Sequence, residues 1–157
     1  MTFKSAVSQT PHLAAAWIPG LGALRAQDRL HIDPEHPRQL TGSVDIDGAL
    51  QQLHPNAHRW DFAIGYRHTN RKKDCIYWVE VHTANQKEVD VVLKKLRWLQ
   101  TWLAGDGILL SRFERDFVWV SSGPASFTLG SPQLKRFAQL GLQYRGRVLR
   151  ISLERSI

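Results

Sequence analysis

The chain has one cysteine, Cys75, among its 157 residues, which excludes an intrachain disulfide and a cysteine-based zinc site. Long apolar runs are missing as well: each is short and interrupted, so none is built to span a bilayer. Lys4 followed by Ser5–Ala16 makes a poor secretory signal, because Gln9, Thr10, Pro11 and His12 break its apolar stretch. A lone thiol and the lack of a membrane segment point to a cytoplasmic protein without a membrane partner. No internal repeat or low-complexity tract occurs. Ser121-Ser122-Gly123-Pro124 lacks the Gly-Lys-Ser/Thr of a P-loop, and no Gly-x-Ser-x-Gly elbow is present for a serine hydrolase.

What is present fits one globular α/β domain. The hydrophobic fraction of 43% argues against wholesale disorder, and the length suffices to bury a core. The formal net charge is +7, unevenly spread. Residues 1–57 hold four Lys/Arg against five Asp/Glu, a net −1, whereas residues 58–157 hold seventeen against nine, a net +8. A basic surface attracts polyanions at long range, so nucleic acid is the expected partner, and an acidic protein partner is the alternative.

Residues 1–40 read as an N-terminal arm of irregular chain or short helices, lying on the main domain or partly mobile. Pro11, Pro19, Gly20, Gly22, Pro34 and Pro37 interrupt it, with short helices at Ala6–Trp17 and Leu21–Leu30. Residues 41–157 form the main domain. Ser43 or Asp45 caps a helix running to about His54, where Pro55 ends it. Trp60–Arg67 and Asp74–Thr83 read as strands joined by a polar, basic hairpin loop. Asn85 and Glu88 open a helix whose Val89, Val92, Leu93, Leu96, Leu99 and Leu103 follow at helical spacing up to Gly105. Asp116–Ser121 is a third strand, Ser131-Pro132 opens a helix closing at Gly141, and Arg147–Leu153 is the last strand. The order predicts a mixed central sheet flanked by helices, its first two strands antiparallel and its later ones reached through helices.

Alternation along the second strand puts Ile76, Trp78, Glu80 and His82 on one face and Cys75, Tyr77, Val79 and Val81 on the other. A carboxylate inside such an apolar strand is expensive to bury without a partner or metal. Asp61, at the start of the preceding strand, is expected beside Glu80, close enough to share one ion. Two such carboxylates make a hard oxygen site suited to Mg²⁺ or Mn²⁺. Each residue also has a plainer role: Asp61 as a turn cap, Glu80 in a structural ion pair with Arg67 or another basic residue across the sheet, His82 as a packed histidine. Zinc held by histidines is a distant option.

This pattern resembles the PD-(D/E)XK nucleases, in which an Asp opens one strand and an acid-X-Lys triplet lies on the next. Asp61 followed by Glu80-Val81-His82 is similar to it over roughly residues 43–121, with Asp45 or Asp47 on the antecedent helix as an extra acid. The resemblance implies a restriction-endonuclease-like core and divalent-metal-dependent cleavage of phosphodiesters, with Asp61 and Glu80 holding the ion. Trp60 replaces the motif proline, and His82 replaces the lysine that assists water and stabilises phosphate charge. A neutral imidazole can act as a base but is a poorer permanent cation. Lys87, at the start of the next helix, is the nearest substitute, ahead of Lys94 and Lys95. Arg71-Lys72-Lys73, Lys94 and Lys95 are expected to track phosphates beside the site. The alternative is a catalytically inactive relative of the same fold that binds nucleic acid or a protein.

Overall fold

A computed structural model describes residues 1–127 and 131–156. The first helix, α1 (Phe3–Gln9), starts with a reciprocal capping box between Thr2 and Ser5 and buries Phe3, Ala6 and Val7. After α2 (Ala26–Arg29) come β1 (Ile32–Pro34) and β2 (Leu40–Asp45). A short α3 (Ile46–Leu50) leads to β3 (Phe62–Tyr66) and β4 (Cys75–His82). The long α4 (Val89–Ala104) then precedes β5 (Glu114–Ser121), α5 (Pro132–Gln139), β6 (Leu142–Tyr144) and β7 (Leu149–Ile151).

The central sheet has five strands in the order β2-β3-β4-β5-β6. β2, β3 and β4 are an antiparallel meander, whereas β5 runs parallel to β4 and β6 parallel to β5. This is the mixed sheet expected, with Trp60–Arg67 and Asp74–Thr83 paired antiparallel and α4 following them. The faces divide as the alternation requires. Ile76 and Trp78 join Val92, Leu96, Leu99 and Trp102 of α4 in one buried cluster, together with Phe3, Val7, Trp60 and Trp119. Cys75, Tyr77 and Val79 face a second cluster with Leu24, Ile32, Leu149 and Ile151. Trp98 and Trp102 stack at 6.2 Å within the first layer, which makes them packing residues.

Several elements differ from expectation: the short helices expected at Ala6–Trp17 and Leu21–Leu30 form at Phe3–Gln9 and Ala26–Arg29. The segment read as a helix from Ser43 starts as β2, because pairing with β3 satisfies its backbone on that side while Val44 fills the core. Asp45 still caps α3, accepting from Gly48 N–H at 2.9 Å. The fifth strand of the main sheet is Leu142–Tyr144, three residues too short to carry a periodic signal. The strand expected over Arg147–Leu153 leaves that sheet and pairs in parallel with β1, in a segment that reads as irregular chain.

Residues 1–39 are packed on both faces. Phe3 and Leu13 are buried in the helical layer, and Leu24 and Ile32 cover the opposite face. Phe3 N–H donates to Asp74 at 2.7 Å, which ties α1 to the start of β4. Ile18 exchanges backbone hydrogen bonds with Ser43 at 3.0 and 2.8 Å, and so covers the outer edge of β2. No described helix is long and apolar enough to cross a membrane.

Candidate functional site

The β3–β4 ladder ends at the Phe62–Val79 pair. One step beyond it, the side chains take over from the backbone. Asp61 N–H donates to Glu80 Oε1 at 3.1 Å, and Val81 N–H donates to Asp61 Oδ2 at 3.0 Å. The two carboxylates are thereby clasped across the pair, on the face covered by α4. Glu80 is fully buried, while the Asp61 side chain keeps 17% of its exposure. The geometry explains how an apolar strand tolerates the acid: each of its oxygens has a donor or a cation.

The cation is Lys95. Its ammonium donates to Glu80 Oε2 and stands 3.5 Å from Asp61 Oδ1. The reason lies in the helix period. Lys95 falls on the buried stripe of α4, three residues after Val92 and four before Leu99, so its stem descends toward the sheet. Lys94 is one position off the stripe and exposed. Lys87 lies exposed on the 3₁₀ turn Gln86–Glu88 and, among the described contacts, meets neither carboxylate. The lysine beside the acids is therefore the one that sequence reasoning ranked with the phosphate-contact residues. A lysine on an otherwise apolar helical stripe was the available signal.

His82, two residues past Glu80 on the same face, sits between two acids. Its Nδ1 is 3.5 Å from Glu80 Oε2 and its Nε2 is 2.9 Å from Glu88 Oε2. Asn85 orients that turn by accepting from Glu88 N–H at 3.1 Å. Trp119 Nε1 donates to the His82 carbonyl at 3.1 Å, which fixes the end of β4. Sequence reasoning did not include Glu88 in the site.

The electrostatics follow from burial and crowding. Burial, then the neighbouring Glu80 carboxylate, push the Asp61 carboxyl up to about 7, against the opposing pull of Lys95 and the Val81 N–H. Contact with Glu80 raises the His82 imidazole above its ordinary range; burial opposes this and Glu88 adds to it. Burial disfavours the Lys95 ammonium, but Glu80 and Asp61 outweigh it and the net shift is upward. Asp61, Glu80, His82, Glu88 and Lys95 therefore form one cluster of interacting charged groups.

The other expected residues lie elsewhere. Asp45 caps α3, and Asp47 pairs with Arg59 at 2.9 Å, so neither is free to act as an extra acid. Arg67 pairs with Asp74 at 2.8 Å, not with Glu80. Arg71, Lys72 and Lys73 occupy the turn at the opposite end of β4, with Arg71 held 3.1 Å from Glu114. About five strand residues, roughly 17 Å, separate that turn from Glu80. His54 and His58 stand four apart, but Pro55 intervenes and the segment is a turn; His54 packs edge-on against Trp98. Among the described residues, no three His, Cys, Asp or Glu side chains form a metal-binding group.

The chain matches no protein-family model, no curated protein and no solved structure.

Proposed function

We propose that this chain is a divalent-metal-dependent, nuclease-like domain of PD-(D/E)XK architecture in which Lys95 supplies the cation that the motif places at His82. One observation carries the reading: Asp61 and Glu80 converge, across two paired strands, on a lysine from the next helix. Further support comes from topology, since the antiparallel pair β3-β4, then α4, then a parallel β5 follow in the order that resemblance implies. The donor set also fits the metal. Mg²⁺ and Mn²⁺ accept one or two carboxylates and complete their shell with water and phosphate oxygens. Asp61 and Glu80 would hold the ion, once the Lys95 ammonium has moved off Glu80 Oε2 and Asp61 Oδ1. When bound, it would polarise a phosphodiester and lower the pKa of an attacking water.

The chain's own residues then have separate tasks. Lys95 places a permanent positive charge where negative charge grows on the phosphate. Without the ion, Asp61, with its carboxyl near 7, can hold or release a proton at Oδ1, since Oδ2 accepts from the Val81 N–H. His82, braced by Glu88, is an imidazole whose protonated form the flanking acids favour.

The decisive experiment is cleavage of several DNA and RNA substrates with Mg²⁺ or Mn²⁺, for the wild type and Glu80→Gln. Cleavage that needs the metal and disappears in a folded Glu80→Gln variant supports the reading. No cleavage by the wild type under any of these conditions overturns it. The complete burial of Glu80 beneath Lys95 favours a second reading, a catalytically inactive relative serving as a nucleic-acid or protein-interaction module. That reading stands first if the wild type binds nucleic acid but does not cut it.

A further inference from the structure

The sheet face opposite α4 carries a cleft of about 610 Å³ between β6, β7 and the segment after β7. Arg145, Arg150 and Arg155 line it, together with Gln143, Tyr77 and Asp116. Arg155 is a strut. Its guanidinium forks onto Asp116 at 2.9 and 3.1 Å, its Nε reaches Glu114 at 2.8 Å, and Nη1 meets the Tyr77 hydroxyl at 3.3 Å. Arg145 and Arg150 are different. Both are exposed; Arg145 touches the neutral Gln143, and Arg150 has a loose 3.7 Å contact with an exposed Asp33. Their remaining donors face solvent.

Charge and topology agree on a use for those donors. The charged residues that line the cleft are Arg145, Arg150 and Arg155 against Asp116, which Arg155 neutralises, and Glu154. The strand register sets Glu80 level with Trp119, and Trp119 level with Tyr144. Two strand spacings, about 10 Å, therefore separate the acid cluster's strand from β6. Arg145-Gly146-Arg147 leaves β6 at the same end of the sheet as His82, with Ser121 N–H donating to the Gly146 carbonyl at 2.7 Å. At the other end, Asn70 of the β3–β4 turn bonds the backbone of Arg155 at 2.9 and 2.8 Å, next to the exposed Lys72 and Lys73. The basic groups thus follow the flank of β5 and β6 along one face of the sheet, while the acids lie on the other face, under α4.

We propose that this arginine cleft is a nucleic-acid-binding surface that grips a phosphodiester backbone, on the sheet face opposite the Asp61–Glu80–Lys95 cluster. The binding does not rest on the nuclease reading. Two separate free guanidinium forks, Arg145 and Arg150, suit a chain of repeated phosphates better than a single small anion. Tyr77 is buried, so bases find no stacking platform in the cleft, and the grip is on the backbone without sequence preference.

Anisotropy of labelled single-stranded DNA, single-stranded RNA and duplex DNA, measured in EDTA over a salt series, tests this. Arg145→Ala/Arg150→Ala should weaken binding about tenfold or more and flatten the log K against log salt slope by between one and two. Lys135→Ala/Arg136→Ala removes the same charge from α5, on the opposite face, and should leave affinity within about twofold. Circular dichroism checks that each variant folds. Equal losses in both double variants, no loss in the first, or no binding by the wild type would each overturn the proposal. If Glu80→Gln abolishes cleavage while the arginine variant binds normally, the cleft fails and the nuclease reading survives. If the wild type cuts nothing but binds through the two arginines, the cleft stands and the nuclease reading fails.

Discussion

Asp61 is held at the mouth of a buried cluster in which its ionised form is the disfavoured one. Its carboxyl moves from an unperturbed 3.8 up to about 7, so the folded state holds the proton more tightly than the unfolded chain does. The contribution of that proton to stability is complete below pH about 4 and is lost as pH rises through about 7. Asp61→Asn mimics the protonated form and keeps an oxygen for the Val81 N–H. The variant should match the wild type at pH 4 and exceed it by roughly 2–4 kcal/mol at pH 8, as read by urea denaturation at both pH values. A variant no more stable at pH 8 than the wild type would show that the site stores no such penalty. Lys95→Met has the opposite sign, because it leaves Glu80 buried and unpaired, and a loss on the order of 3–5 kcal/mol is expected. Glu80→Gln/Lys95→Met should recover most of it, and a double-mutant cycle by denaturation measures how much. His82→Lys would put a second ammonium beside Lys95 and give up the Glu88 contact. It should bring no gain in cleavage; a large gain would mean that the site is built for a lysine on β4.

At the scale of elements, the clasp between β3 and the layers around it leaves no spare volume. A Cβ on Gly65 of β3 would come within 2.3 Å of Thr41 Oγ1 and 2.6 Å of the Phe3 ring, so β2 and α1 both approach the β3 backbone there. Gly65→Ala should therefore destabilise by about 1–3 kcal/mol, seen as a lower thermal midpoint with unchanged far-ultraviolet dichroism. β3, β4 and α4 were legible in the sequence because β3 and β4 are apolar, β-favouring runs bounded by polar turns and α4 has the 3.6-residue repeat from Val89 to Leu103. β2 and β6 were not. Leu40–Asp45 contains Gly42 and ends in a helix cap, and Leu142–Tyr144 is three residues long; pairing to neighbours, not local propensity, makes them strands.

For the molecule as a whole, residues 1–39 are the test of where the domain begins. They fill part of both cores, with Phe3, Val7 and Leu13 under one face of the sheet and Leu24 and Ile32 over the other. A chain lacking residues 1–39 should lose its cooperative thermal transition, because large apolar areas on both faces would meet water. A sharp transition in that truncated chain, by calorimetry, would make the segment an accessory arm. The amino-acid order by itself determined the α/β class, the antiparallel pair, the long helix and the two acids on neighbouring strands, since each depends on residues close in sequence. Tertiary structure alone decided that Lys95, and not Lys87, reaches those acids, and that a segment rich in proline pairs with the last strand. Both outcomes depend on contacts between distant segments, whose geometry is set by how the layers pack and not by any local period.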